Sequence, residues 1–182
     1  MVTRYKIFLP NEIYFLTFTI LDWKNIFTEE KYFNLIYKWF DYMKENYDNK
    51  IYGYVIMPNH IYILLKVSIQ SQGVPKLIQN AKRFLAYEIV KYLKEDKRGE
   101  LLKYFQKKAR IKNKANHKVF KDGYDSLIIQ SQKFFLEKLN YIHKNPCREK
   151  WNLTNNPEDY KYSSASNYIL GKGVYGVEVL DI

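Results

Sequence analysis

The chain has 182 residues, enough for one domain with a substantial core and too few for two ordinary ones. Hydrophobic residues make up 47% and aromatics 18%, against only 7 Gly and 5 Pro, which excludes an intrinsically disordered chain. Thirty Lys and Arg against 19 Asp and Glu give a formal charge of +11, a field that draws polyanions and makes nucleic acid the leading class of partner.

In chain order, Glu12 to Ile20 alternates Ile13, Phe15, Thr17 and Thr19 on one face with Tyr14, Leu16, Phe18 and Ile20 on the other, the pattern of a central strand. From a Thr28 cap, Phe33, Ile36, Tyr37, Phe40 and Met43 recur at helical spacing and predict an amphipathic helix ending near Asn46. Ile51 to Met57 and Ile61 to Val67 are strand-like runs separated by Pro58-Asn59, which predicts an antiparallel hairpin. Pro75 suits a first helical turn, and Ile78, Ala81, Leu85, Ile89 and Tyr92 mark a second helix to about Lys94, with Lys82, Arg83 and Lys91 off its apolar stripe.

Between Lys94 and Lys121 there are 11 Lys and Arg and three acidic residues, so most of the net charge is concentrated in a basic insertion of about residues 95–122. Ser126 to Gln130 reads as a fourth short strand. Ser131 then caps a third helix that turns Phe135, Leu139 and Ile142 inward and is ended by Pro146. The tail, about residues 147–182, combines turn signals with aromatic anchors and is expected to pack back onto the domain.

This order predicts an α+β, ferredoxin-like (split βαβ) antiparallel sheet. Helices cover one face, with an extra C-terminal helix and the basic insertion added, all in a single domain over residues 1–182. Cys147 is the only cysteine, so no internal disulfide forms, and no Cys/His spacing matches a zinc site. No apolar run reaches a membrane span's ~18 residues and no signal core opens the chain, so a cytoplasmic location is expected, without a membrane partner.

Two constellations carry chemistry. In "YVIMPNHIYILLKV", His60 and Tyr62 are two apart on a strand and project to one face. In "NYIHKNP", Tyr141 and Asn145 are four apart, on one face of a helix together with Lys138. Taken alone, His60 also suits a satisfied polar residue beside a turn, Tyr141 is one of 18 tyrosines, and Asn145 suits a residue that ends a helix before proline.

Together, "YVIMPNHIY", "LTFTILDWKNIFT", "KRFLAYEIVKYL" and "LNYIHKNPCREKWNLTNNPEDYKYSSASNY" resemble the REP-associated tyrosine transposases, a branch of the HUH single-strand transposases of bacterial insertion sequences. The resemblance runs from about Ile13 to Tyr168 and is loose over Lys97 to His117. It implies a metal-dependent endonuclease and strand transferase acting on hairpin or single-stranded DNA, with Tyr141 as nucleophile and a 5′ phosphotyrosine intermediate. It places a Mg2+ or Mn2+ site at His60, Tyr62 and Asn145. Relatives act as monomers or as dimers, so a homodimer is one of the two expected states.

The sequence departs from the family at Tyr62, where the second imidazole of the His-hydrophobic-His triplet belongs. A neutral phenol is a weak ligand for a hard cation, and ionising it at pH 7 costs about 4 kcal/mol from a pKa near 10. His143 falls on nearly the opposite side of its helix from Tyr141, and His117 lies in the insertion. The alternative reading is therefore a DNA-binding protein derived from a transposase and impaired in cleavage; an RNA-binding domain sharing only the fold is a third. For binding, Lys82, Arg83, Lys103, Lys107, Lys108, Arg110, Lys112 and Lys114 are expected to neutralise phosphates, and Tyr104 and Phe105 to stack on unpaired bases.

Overall fold

The structure, a computed structural model, describes residues 8–110 and 116–180, apart from the Arg110 side chain. Lys112 and Lys114 lie outside the described residues. The main elements are β1 (Ile13–Thr19), α1 (Glu30–Tyr47), β2 (Lys50–Met57), β3 (His60–Lys66), α2 (Val74–Glu95), α3 (Gly99–Arg110), β4 (Asp125–Ile128), α4 (Gln132–His143) and α5 (Ala165–Leu170).

The four strands form one sheet in the order β2-β3-β1-β4, every neighbouring pair antiparallel. This is the split βαβ order: α1 carries the chain past the position that β3 later fills between β1 and β2. The expected ferredoxin-like α+β class is observed.

The alternation within β1 decides what each face receives. Tyr14, Leu16, Phe18 and Ile20 join Phe33, Ile36 and Phe40 of α1 and Ile78, Leu85 and Ile89 of α2 in one buried cluster. Phe15 faces the other way, into a second cluster with Leu64 of β3 and Phe135, Leu139 and Ile142 of α4. The crossover helices thus share one face, and the extra C-terminal helix covers the opposite one.

Several boundaries shift from their expected places for local reasons. Helix α1 begins at Glu30 because Thr28 is tied to Ile26 by its own N–H, leaving extended Glu29 as the cap residue. Ser131 caps α4 as predicted, its hydroxyl accepting from the Phe134 N–H at 3.2 Å. That helix stops at His143, and Asn145-Pro146-Cys147 forms a separate 3-10 turn, since Pro146 has no N–H with which to continue the α-helical ladder. Asn145 therefore lies in the turn after α4, not on the helix itself where the sequence-based expectation placed it.

The basic insertion contains a regular helix. Phe105 and Ala109 of α3 are buried, whereas Lys103 and Lys107 point to solvent. The tail packs back as expected, along the otherwise free edge of β2. The Ile56 N–H donates to Tyr162 O at 2.9 Å, the Ser164 N–H to Tyr54 O at 3.0 Å and the Glu178 N–H to Ile51 O at 2.8 Å. Covering an edge in this way removes a template for intermolecular strand pairing.

Candidate functional site

The register of β1 against β3 pairs Thr19 with His60 and Thr17 with Tyr62, so all four side chains lie on the face covered by α4. His60 opens β3 directly after the Pro58-Asn59 turn, and this hairpin end is held from several sides. The Pro58 carbonyl accepts from the N–H groups of Ile26 and Phe27, both at 2.9 Å, and the Asn59 carbonyl accepts from the Ile20 N–H at 2.8 Å.

The Asn59 side chain determines the state of His60. Its amide nitrogen donates to Trp23 O at 3.0 Å and to Asn25 Oδ1 at 3.1 Å, which turns its own oxygen toward His60. That oxygen lies 2.8 Å from His60 Nδ1 and can only accept, so Nδ1 carries the proton and Nε2 presents the lone pair. The ring is 3% exposed and packs against Trp23, Tyr62 and Trp151. Burial, reinforced by the Lys150 charge, lowers its pKa to about 4, so it is neutral at pH 7.

Tyr62 stacks on Phe15, and its hydroxyl lies 3.2 Å from that of Tyr141, which projects from α4 toward the sheet. Burial raises the Tyr62 pKa, and the hydrogen bond to Tyr141 raises it further. Tyr62 is accordingly a neutral phenol. Across the Tyr141 ring lies the Arg148 guanidinium, 4.2 Å from the centroid, while Lys138 Nζ is 5.9 Å away. The pair of residues separated by 79 positions in sequence is thus brought together, in direct contact hydroxyl to hydroxyl.

Asn145 is 3% exposed and its Oδ1 has no hydrogen-bond partner. His60, Tyr62 and Asn145 therefore offer one imidazole nitrogen, one neutral phenol already engaged with Tyr141, and one amide oxygen. Magnesium and manganese favour anionic oxygen ligands, and among the described residues no three His, Cys, Asp or Glu side chains converge. This neutral donor set does not fit either ion as a resident of the protein. His143 is turned away, with Nε2 2.9 Å from Ser164 Oγ, and His117 lines a different cavity, between α2 and residues 117–124.

The candidate binding residues divide. Arg83, Lys103 and Lys107 are exposed and available. Lys82 instead donates to the carbonyls of Lys121 and Gly123, fastening the segment before β4 to α2. Lys108 is paired with Asp22 at 2.9 Å, and the Tyr104 hydroxyl donates to the same carboxylate. Phe105 is fully buried, which corrects its expected role: its ring completes the core and cannot reach a base.

Sequence reasoning missed Asn59, Trp23, Trp151 and Arg148. Asn59 precedes the histidine directly, and Arg148 and Trp151 sit inside the string "NPCREKW"; their chemistry was visible, but no periodicity connects them to Tyr141 or His60.

No protein-family model and no curated protein matches the sequence. Among solved structures, the fold matches a REP-associated tyrosine transposase bound to a REP hairpin, at a TM-score of 0.67 and 13% identity, over 100% of this chain and 95% of the other. A second structure, from Deinococcus radiodurans R1, matches at a TM-score of 0.48 and 16% identity, over 79% of this chain and 95% of that one.

Proposed function

From the shared transposase fold, we propose that this chain binds hairpin or single-stranded DNA and that its metal-assisted cleavage chemistry is impaired. The observation that carries the second part is the contact between Tyr62 and Tyr141. Where the resembling family has an imidazole for a divalent ion, a neutral hydroxyl lies 3.2 Å from the candidate nucleophile. A phenol is a poor nucleophile at neutral pH unless the attacked phosphate is polarised, and the donors around His60 do not supply a hard-cation site. Exposed Arg83, Lys103 and Lys107 supply electrostatic attraction for the backbone.

A second reading, a working tyrosine transposase, is favoured by the orientation of His60. Asn59 fixes the tautomer that leaves Nε2 as a ligand, the arrangement expected of a metal-binding histidine. In this reading Tyr141 releases its hydroxyl proton and attacks the phosphorus, its oxygen forms the phosphotyrosine bond as the bond to the strand's 3′ oxygen breaks, and that oxygen takes up a proton in exchange for the one released.

Labelled hairpin and single-stranded oligonucleotides with Mn2+ separate these readings. The wild type is expected to bind without forming a denaturant-resistant adduct. Tyr62→His is expected to form one, and Tyr62→His with Tyr141→Phe to lose it. A wild-type adduct absent from Tyr141→Phe establishes the second reading, and a wild type that binds no DNA overturns both.

A further inference from the structure

A cavity of about 580 Å3 opens beside Tyr141, between the end of α4 and the turns that follow it. Its lining includes Tyr141, Asn140, Lys144, Arg148 and Asn155, and no acidic residue. Its two cations are both exposed, and neither is held in an ion pair with a described residue. This differs from Lys108, which is neutralised by Asp22, and from Lys82, which is bonded to two backbone carbonyls.

The position of Arg148 is built into the backbone. Its N–H donates to Asn145 O at 3.3 Å, and its carbonyl accepts from the N–H groups of Trp151 and Asn152, both at 2.8 Å. Trp151 packs in turn on His60, so one short segment sets both the imidazole and the guanidinium relative to Tyr141. The guanidinium lies over the Tyr141 ring, where cation-π attraction holds its plane while leaving its N–H groups at the periphery. A planar fork of donors suits two phosphate oxygens at once, and a lysine adds a mobile point charge. The Arg148 charge is also felt at the half-buried hydroxyl pair, where it opposes the upward displacement of the Tyr62 pKa.

We propose that this cavity is a phosphodiester-binding subsite, in which Arg148 and Lys144 hold one backbone phosphate of a nucleic-acid strand against the hydroxyl of Tyr141. The inference rests on the DNA-binding reading and deepens it. Arg148 and Lys144 supply charge in a cavity whose lining has no carboxylate to retain a metal. Asn140 and Asn155 provide neutral donors for sugar or base edges on either side of that phosphate.

The test titrates the full chain with the dinucleotide TpT, which carries a single phosphodiester, and follows the Arg148 Nε–H and Tyr141 ring resonances by NMR. Saturable shifts of both are expected. Both are expected to vanish with the uncharged methylphosphonate analogue of TpT, a comparison that needs no variant, and the Tyr141 shift is expected to vanish in Arg148→Ala. A 20-nucleotide single strand read by fluorescence anisotropy is expected to lose roughly 5- to 10-fold in affinity in Arg148→Ala, with the log-log salt slope smaller by about 0.7, the share of one single-strand phosphate contact. Lys103→Ala with Lys107→Ala is expected to weaken the 20-mer while leaving the TpT shifts in place.

Unchanged 20-mer affinity and slope in Arg148→Ala, or equal shifts from TpT and its neutral analogue, overturn the subsite while DNA binding stands. If the wild type shifts with TpT but does not bind the 20-mer, the DNA-binding reading falls and the cavity remains a phosphodiester site. If it responds to neither, both fall.

Discussion

At the scale of single residues, buried neutral imidazoles link this site to the stability of the fold. His60 bonds to Asn59 and His143 to Ser164, and burial lowers the pKa of each to about 4, against an ordinary 6.5. Between pH 6.5 and 4 the unfolded chain binds more protons than the folded one at these positions, so stability falls as the pH is lowered through that window. The loss approaches about 3 kcal/mol per histidine once both states are protonated, from 1.36 kcal/mol per pKa unit. Urea titrations at pH 7.0, 5.5 and 4.5 are expected to show it, and His143→Gln, which keeps a hydrogen-bonding partner for Ser164, to flatten the curve by its share. An identical pH dependence in the variant means that His143 is not held neutral by burial. His60 was singled out in the sequence because a histidine after a strand-breaking Pro-Asn turn stands out. Its proton state was not, because that depends on Trp23 and Asn25, which turn the Asn59 amide.

Elements place Tyr141 through the seating of α4 on the sheet. A Cβ added at Gly53 of β2 comes 2.8 Å from Leu139 Cδ1 and 3.2 Å from Ile142 Cδ1, so the strand lacks a side chain where the helix comes closest. Gly53→Ala is expected to destabilise the fold by about 1–3 kcal/mol, the ordinary cost of overpacking a core. It is also expected to move Tyr141 relative to Tyr62, because Tyr141 shifts with its helix. Pairing it with Leu139→Ala, which removes the obstructing methyl and leaves a cavity of its own, is expected to destabilise less than the sum of the single changes. Strict additivity in denaturant titration shows that the two side chains do not compete for the same space. The hydrophobic spacing of α4 is plain in the sequence, as is its Ser131 cap. The early stop at His143 was misjudged because four-residue spacing alone does not show that the turn before Pro146 leaves the helix.

For the whole molecule, the charge of +11 matters through its distribution. Some cations fasten the fold, as Lys82 and Lys108 do, while Arg83, Lys103, Lys107, Lys144 and Arg148 remain exposed. About five phosphate contacts give a log-log slope near −3.5, so single-strand affinity is expected to drop roughly 10²-fold between 50 and 200 mM salt. A slope near zero in anisotropy titrations rules out backbone recognition as the source of binding. The sequence by itself determined the four strands, the helices α1, α2 and α4, their split βαβ order and the two strings that hold His60 and Tyr141, because periodicity and turn chemistry are local; the helix α3 inside the basic insertion went unread. Only the tertiary structure decided what those residues meet. Tyr62 bonds to Tyr141 because β3 and α4 pack on one another, Arg148 covers Tyr141 because the turn after Pro146 folds back, and Phe105 is buried because α3 presses its apolar side into the core. Tyr62 and Tyr141 are 79 positions apart, and even the seven-residue step from Tyr141 to Arg148 crosses a helix end, so their geometry is set by how elements pack, which no local pattern records.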